Sequence, residues 1–155
     1  MASDGPAQRK ALRRSQRLLL QLCAAPDNNY AKDFAELADA DWCELVEQAI
    51  AKRAGMLLDR ALSQPGVHAV PPPAWRAMIE DERRRLTMSA FGHMLALTEA
   101  VAFLQSEGIV PVALKGVRLA FLDYPEARLR PLRDIYLLVP ADKAELAQKR
   151  MVASG

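Results

Sequence analysis

Cysteine, histidine and net charge are all scarce in this chain, and each shortage narrows the range of functions. Two cysteines and two histidines in 155 residues, without ligand spacing, give neither a zinc site nor a disulfide framework. A net charge of +2 gives no reason to expect nucleic acid as the partner. Cys23 and Cys43 are expected to be buried or half-buried thiols, which fits a reducing cytoplasm.

Long apolar runs are also lacking. No uninterrupted stretch approaches the ~18 residues that a membrane-spanning helix needs, so we expect no membrane insertion. Arg13-Arg14 followed by Leu18–Leu20 loosely resembles an export signal, but the apolar part is short and Gln21 interrupts it. We therefore favour an amphipathic first helix over about residues 7–24.

The first hundred residues instead have the apolar spacing of helices joined by loops. With 51% hydrophobic and 26% charged residues, the composition is that of a globular domain. A second helix is predicted to begin near Asp41, which can cap it while Glu44 reaches back three residues later. Gly55 is expected to break or bend this helix, and the proline-rich stretch Pro65–Pro73 is the clearest loop.

Apolar residues recur at threes and fours from residue 74 to about residue 107. This spacing predicts a long helix that is either continuous or broken near Gly92, with core packing as the role of its apolar stripe. Gly108 follows the last periodic residue, where a glycine commonly ends a helix.

The pattern changes to short apolar strands after Gly108. Ile109–Leu114 and Ile135–Val139 are predicted strands, residues 117–123 a helix between them, and residues 140–152 a closing helix. The fold class is therefore α+β, with a helical region over residues 1–107 and a partial strand-helix-strand-helix unit over residues 108–155. Because two strands alone are marginally stable, this unit is expected to be the front of a larger, truncated one.

Three features of the second region suggest phosphate chemistry. Lys115-Gly116 ends one strand and opens a helix, whose first turn favours an anion. Asp134 opens the other strand, and arginines including Arg130 lie just before it. Nucleotidyl transfer needs a divalent cation held by oxygen ligands and a cationic side chain near the phosphates. An ordinary strand-to-helix turn, and an Asp134 paired with Arg130 or Arg133, are the structural alternatives.

The segment VALKGVRLAFLDYPEARLRPLRDIYLLV, from Val112 to Val139, resembles a bacterial family of predicted nucleotidyltransferases in the polymerase-β superfamily. The likeness extends from about Leu18 to Val152 and includes a tryptophan in the helical region, Trp42. The resemblance implies that Lys115 and Gly116 form a phosphate-facing turn. By the same resemblance, Arg130 braces the loop or contacts the nucleotide, and Asp134 is the catalytic first ligand for Mg²⁺.

The chain departs from the family pattern at two places. Tyr136 stands where the second acid of Asp-x-Asp is expected, and a phenol with a pKa of ~10 is a poor ligand for Mg²⁺. The superfamily also uses a third carboxylate from a later strand. Here Asp142 and Glu145 are the only acids after Asp134, and both fall on the predicted closing helix.

The function predicted from the sequence is Mg-NTP-dependent nucleotidyl transfer to an unknown acceptor, impaired or lost in this chain, as in a pseudoenzyme. Binding of Mg²⁺ with the nucleoside triphosphate is expected to be weak or lost. One alternative is a non-catalytic module that pairs with a protein partner or a second copy through the strand edge at Ile135–Val139. Another is a fragment of a longer enzyme.

Overall fold

A computed structural model of the protein describes residues 13–154. Within this range helices predominate, and two short strands form a single sheet. The elements are α1 (Arg14–Ala24), α2 (Ala31–Ala35), α3 (Asp39–Ala51), α4 (Gly55–Leu62), α5 (Pro73–Ser106), β1 (Val112–Leu114), α6 (Lys115–Leu122), a 3-10 turn (Ala127–Leu129), β2 (Tyr136–Leu138), a second 3-10 turn (Ala141–Lys143) and α7 (Ala144–Ser154). The predicted α+β class is confirmed.

The chain divides into two compact units, one ending at Met78 and the other beginning at Ile79. Helix α5 begins in the first unit and continues through the second. The boundary predicted at residues 107–108 marks the change from helices to strands along the sequence. As a domain boundary it remains a prediction.

The first unit packs α1, α3 and α4 around a leucine-rich core. Phe34 of α2 stacks on Trp42 of α3, with ring centroids 5.6 Å apart. The Tyr30 hydroxyl lies 2.8 Å from the carbonyl oxygens of both Gln21 and Ala25. It can therefore donate to one of the carbonyl groups that the end of α1 leaves without a helical partner.

The start of α3 differs from the sequence prediction. The helix begins at Asp39, so Asp41 is its third residue, and the backbone N–H of Ala38 donates to Asp41 Oδ2 at 3.3 Å. Asp41 thus makes the reach-back contact that was predicted for Glu44. Glu44 instead accepts a hydrogen bond of 2.7 Å from the buried hydroxyl of Ser15.

Two predictions for α1 and α3 concern the extent of the first helix and the burial of the two cysteines. The predicted first helix is observed from Arg14 to Ala24, and its predicted residues 7–12 lie outside the described part of the chain. Cys43 is half-buried as expected. Cys23 is exposed, contrary to the expectation, because it follows the inward-facing Leu22 on the amphipathic α1.

The turn between α3 and α4 holds Arg53 in the left-handed region, with φ 60°. The N–H of Arg53 bonds to the carbonyl of Ile50 at 3.0 Å, and the N–H of Ala54 to that of Ala49 at 2.7 Å. These are the two bonds of a Schellman cap, whose left-handed position is usually a glycine. The break predicted near Gly55 is confirmed, and a residue with a Cβ occupies the turn.

Arg53→Gly should raise the free energy of unfolding by about 1 kcal/mol, because glycine adopts this conformation without the Cβ penalty. Lys52→Gly is the matched control, since Lys52 has an ordinary φ of −92°. The control should be neutral or destabilising. Urea unfolding of both variants tests the argument, which fails if Arg53→Gly is no more stable than Lys52→Gly.

Helix α5 is continuous through Gly92, which decides between the two forms that the sequence left open. It ends in a second Schellman cap, with Gly108 at φ 70° and the N–H of Ile109 bonded to the carbonyl of Leu104 at 2.9 Å. Leu104 and Ile109 are both buried. The strand predicted from Ile109 therefore begins only at Val112, because Ile109 closes the cap of the helix.

By length and composition alone, α5 is able to cross a membrane. It also carries six consecutive charged residues, from Glu80 to Arg85, and its apolar half contains His93 and Glu99. Glu82 is buried and accepts two 2.8 Å hydrogen bonds from the guanidinium of Arg85. The prediction that the chain does not enter a membrane remains a prediction.

The sheet of the second unit is antiparallel. Val112 pairs with Leu138, and Leu114 pairs with Tyr136. Both strands are shorter than predicted. Strand β1 spans Val112–Leu114 rather than Ile109–Leu114, and β2 spans Tyr136–Leu138 rather than Ile135–Val139. Helix α6 begins at Lys115, two residues before its predicted start.

Candidate functional site

Lys115 joins β1 directly to α6, with no loop residue between the strand and the helix. Its φ of 51° lies in the left-handed region. This conformation destabilises a residue with a Cβ by about 1–2 kcal/mol and is enriched at ligand sites. A glycine would adopt this conformation without that penalty, and at Lys115 the conformation coincides with the side-chain contacts described next.

Gly116, the next residue, matters for packing space rather than for backbone conformation. A Cβ at Gly116 would lie 3.0 Å from Cδ2 of Leu132, which is tighter than ordinary contact. The glycine therefore permits close approach of the loop that precedes Asp134. The sequence predicted a turn at Lys115-Gly116, and in the structure Lys115 rather than Gly116 has the left-handed backbone conformation.

Tyr136 connects Lys115 to Asp134. The ammonium nitrogen of Lys115 lies 3.8 Å from the centroid of the Tyr136 ring, within range of a cation–π interaction. The Tyr136 hydroxyl lies 3.4 Å from Oδ2 of Asp134, to which it donates a long hydrogen bond. Since Leu114 pairs with Tyr136, the residue after β1 and the residues around the start of β2 meet at one end of the sheet.

Asp134 and Arg130 do not form the ion pair that was considered for them. Asp134 is exposed and has no salt bridge to Arg130 or Arg133 in the described range. Arg130 Nη1 instead donates to the carbonyl oxygen of Pro131 at 3.0 Å. This contact fits a bracing role for Arg130 and leaves the carboxylate of Asp134 open to a ligand.

His93 is a contact of this loop that sequence reasoning missed. Its Nδ1 lies 2.7 Å from the carbonyl oxygen of Ser89, and its Nε2 lies 3.3 Å from that of Arg133. The residues of the second contact are 40 positions apart, so no local pattern indicates it. The ring of His93 thereby lies between α5 and the residue before Asp134.

The sequence of the chain matches a known protein family. A sequence model of a family described as uncharacterised nucleotidyltransferases matches residues 38–155, a span that includes Lys115, Asp134 and Tyr136. The chain belongs to this family of uncharacterised nucleotidyltransferases. No curated protein and no solved structure gave a match.

Nucleotidyltransferase chemistry requires a divalent cation, and the residues present fit one only in part. In the described range, no group of three or more His, Cys, Asp or Glu side chains is placed to hold a metal ion. Asp134 supplies one carboxylate, and Tyr136 supplies a phenol, which is a poor ligand for a hard cation. Mg²⁺ is commonly held by one or two carboxylates together with substrate phosphates. These residues therefore fit Mg²⁺ as part of a nucleotide complex rather than as a resident ion.

The left-handed backbone of Lys115 gives a stability prediction that does not depend on any ligand. Lys115→Gly should be more stable than Lys115→Ala by about 1 kcal/mol, because both lose the amine and only glycine relieves the backbone. Thermal unfolding of the two variants measures the difference. Equal melting temperatures would contradict the assigned conformation.

Proposed function

We propose that this nucleotidyltransferase-family chain binds a Mg–nucleoside triphosphate at Lys115 and Asp134, and that it transfers the nucleotidyl group slowly or not at all. The observation that supports binding is the placement of an ammonium group and an open carboxylate at the same end of the sheet, with Tyr136 between them. Opposite charges held this way suit a ligand that carries both phosphates and a cation.

Each group would have a distinct part in binding. Lys115 would leave the face of Tyr136 and pair with a phosphate oxygen, with the first turn of α6 adding favourable backbone N–H groups. Asp134 would contact the cation that arrives with the phosphates. Arg130, held by Pro131, would keep the loop in place beside the nucleotide.

Tyr136 is the reason to propose slow transfer. Transfer joins an acceptor oxygen to the α-phosphorus and releases pyrophosphate, so negative charge must be stabilised on the leaving phosphates. Tyr136 places a phenol where a second carboxylate would hold the cation that does this. Each ~1.4 kcal/mol of lost stabilisation lowers the rate tenfold, so a missing anionic ligand can reduce turnover by orders of magnitude.

Thermal unfolding with and without millimolar Mg-NTP tests the proposed binding. At a hundredfold excess over Kd, ligand adds ~2.7 kcal/mol, which corresponds to about 5–10 °C for a domain of this size. Lys115→Ala and Asp134→Asn should abolish the shift. Asp142→Asn removes the same charge from an exposed residue after β2 and should retain it. No shift in cooperatively melting wild-type protein, or equal shifts in all variants, would contradict the proposal.

A second candidate function is self-association through the sheet. In the described part of the chain, β2 pairs only with β1, and Val112 and Leu138 are each 55% exposed. A second copy could add its own β2 to this free edge. Light scattering should then report a dimer that Mg-NTP does not alter, whereas a monomer throughout the micromolar range would exclude this function.

A further inference from the structure

A cavity of about 220 Å³ lies in the second unit between α5, α6 and the loop before Asp134. Most of the side chains that line it are apolar, chiefly Ala90, Phe91, Met94, Ala120, Phe121 and Leu132. Arg128 and Arg130 also line it, but almost none of the lining surface is polar. The volume is below the ~300 Å³ at which pockets for whole drug-sized ligands begin, so the cavity suits one ring system of a larger ligand.

The cavity lies next to Gly116 of the Lys115–Asp134 site, with Leu132 between them. Leu132 lines it and also fills the position next to Gly116 that a Cβ would need. Gly116 and Ala120 are four residues apart on one face of α6, which is a separation of about 6 Å along the axis. A ligand whose phosphates lie at Lys115 could therefore reach the cavity with a group attached through a short linker, such as a ribose.

The lining has the chemistry that binds a planar base. Phe91 is 68% exposed and Phe121 is 47% exposed, so both rings have faces available to a ligand. Bases stack on phenylalanine rings and on the planes of guanidinium groups. Arg128 pairs with Glu126 at 2.6 Å and Arg130 donates to the carbonyl oxygen of Pro131, so the phenylalanine rings are the main stacking surfaces.

We propose that this cavity holds the nucleobase of the triphosphate whose phosphates bind at Lys115, with Phe121 and Phe91 as its stacking surfaces. The inference rests on the proposed function. Few lining groups can hydrogen-bond to the edges of a base, so recognition depends mainly on stacking. Purine triphosphates should therefore bind more tightly than pyrimidine triphosphates, with little distinction between adenine and guanine.

Calorimetric titration with two ligands separates the base from the phosphates. Mg-ATP carries both, whereas Mg-tripolyphosphate probes the phosphate-facing turn alone. Phe121→Ala and Phe91→Ala should each weaken Mg-ATP binding by about tenfold, the usual effect of removing one stacking ring, and leave tripolyphosphate binding unchanged. Leu122→Ala is the matched control, because Leu122 is 67% exposed and does not line the cavity.

Three results would overturn the inference, and they differ from one another. If both phenylalanine variants bind Mg-ATP as tightly as wild type, the base lies elsewhere. If they lose Mg-ATP and tripolyphosphate equally, the cavity supports the phosphate turn and does not hold a base. If wild-type protein binds neither ligand, the proposed function itself fails. Unchanged thermal unfolding of the variants without ligand confirms that they are folded.

Discussion

Tyr136→Asp should tighten the binding of Mg-NTP by about tenfold or more, with a much smaller gain in turnover. Residues 134 and 136 lie on the same face of an extended chain, as the contact from the Tyr136 hydroxyl to Asp134 indicates. A second carboxylate at this position adds a ligand of the kind that Mg²⁺ prefers. Turnover should lag because the substitution adds no third carboxylate to act on the acceptor hydroxyl.

Tyr136→Asn is the matched control for this substitution. Asparagine has the shape of aspartate without its charge, and it removes the ring beneath Lys115 equally well. If Tyr136→Asn tightens Mg-NTP binding as much as Tyr136→Asp, the effect comes from freeing Lys115 rather than from the metal ligand. If Tyr136→Asp gains full transferase activity, the requirement for a further carboxylate is wrong.

Phe34→Ala should lower the free energy of unfolding of the first unit by about 3–5 kcal/mol, the usual loss for a buried phenylalanine. Phe34 is 1% exposed, stacks on Trp42 and meets the edge of Tyr30 at a centroid distance of 6.4 Å. The substitution removes both ring contacts and leaves a cavity beside Trp42 of α3.

Urea unfolding, followed by the fluorescence of the two tryptophans, measures this effect. Phe91→Ala provides the control, because Phe91 is 68% exposed and its removal should change the free energy by less than about 0.5 kcal/mol. A loss below 1 kcal/mol for Phe34→Ala would show that the helical unit is not organised around this ring cluster.

Apart from the short α2, which was not predicted, the order of the elements could be read from the sequence because apolar spacing changes from helical to strand-like at Gly108. The boundaries of the elements could not be predicted, because residues near them suit more than one position in a helix or strand. Ile109 has the β-branched character of a strand, yet it packs on Leu104 to close the cap of α5. Asp41 can begin a helix or serve as its third residue, and the second role was observed.

The charged residues of the candidate site could be predicted from the sequence and the family resemblance, but the contacts between them could not. Lys115 and Asp134 were predicted from their positions beside the two strands. The contact of Lys115 with the Tyr136 ring depends on the register that pairs Leu114 with Tyr136, which no local pattern reveals. No local pattern reveals the contact of His93 either, because the carbonyl oxygen that it approaches belongs to Arg133, 40 positions along the chain.

The most direct test of the account is a calorimetric titration of the wild-type protein with a nucleoside triphosphate, in Mg²⁺ and again in EDTA. The account predicts saturable binding of one nucleotide per chain in Mg²⁺, weaker by about tenfold or more in EDTA because Asp134 then meets phosphates without the cation. Absence of binding by folded protein, or equal binding in both buffers, would contradict a Mg-NTP site at Lys115 and Asp134.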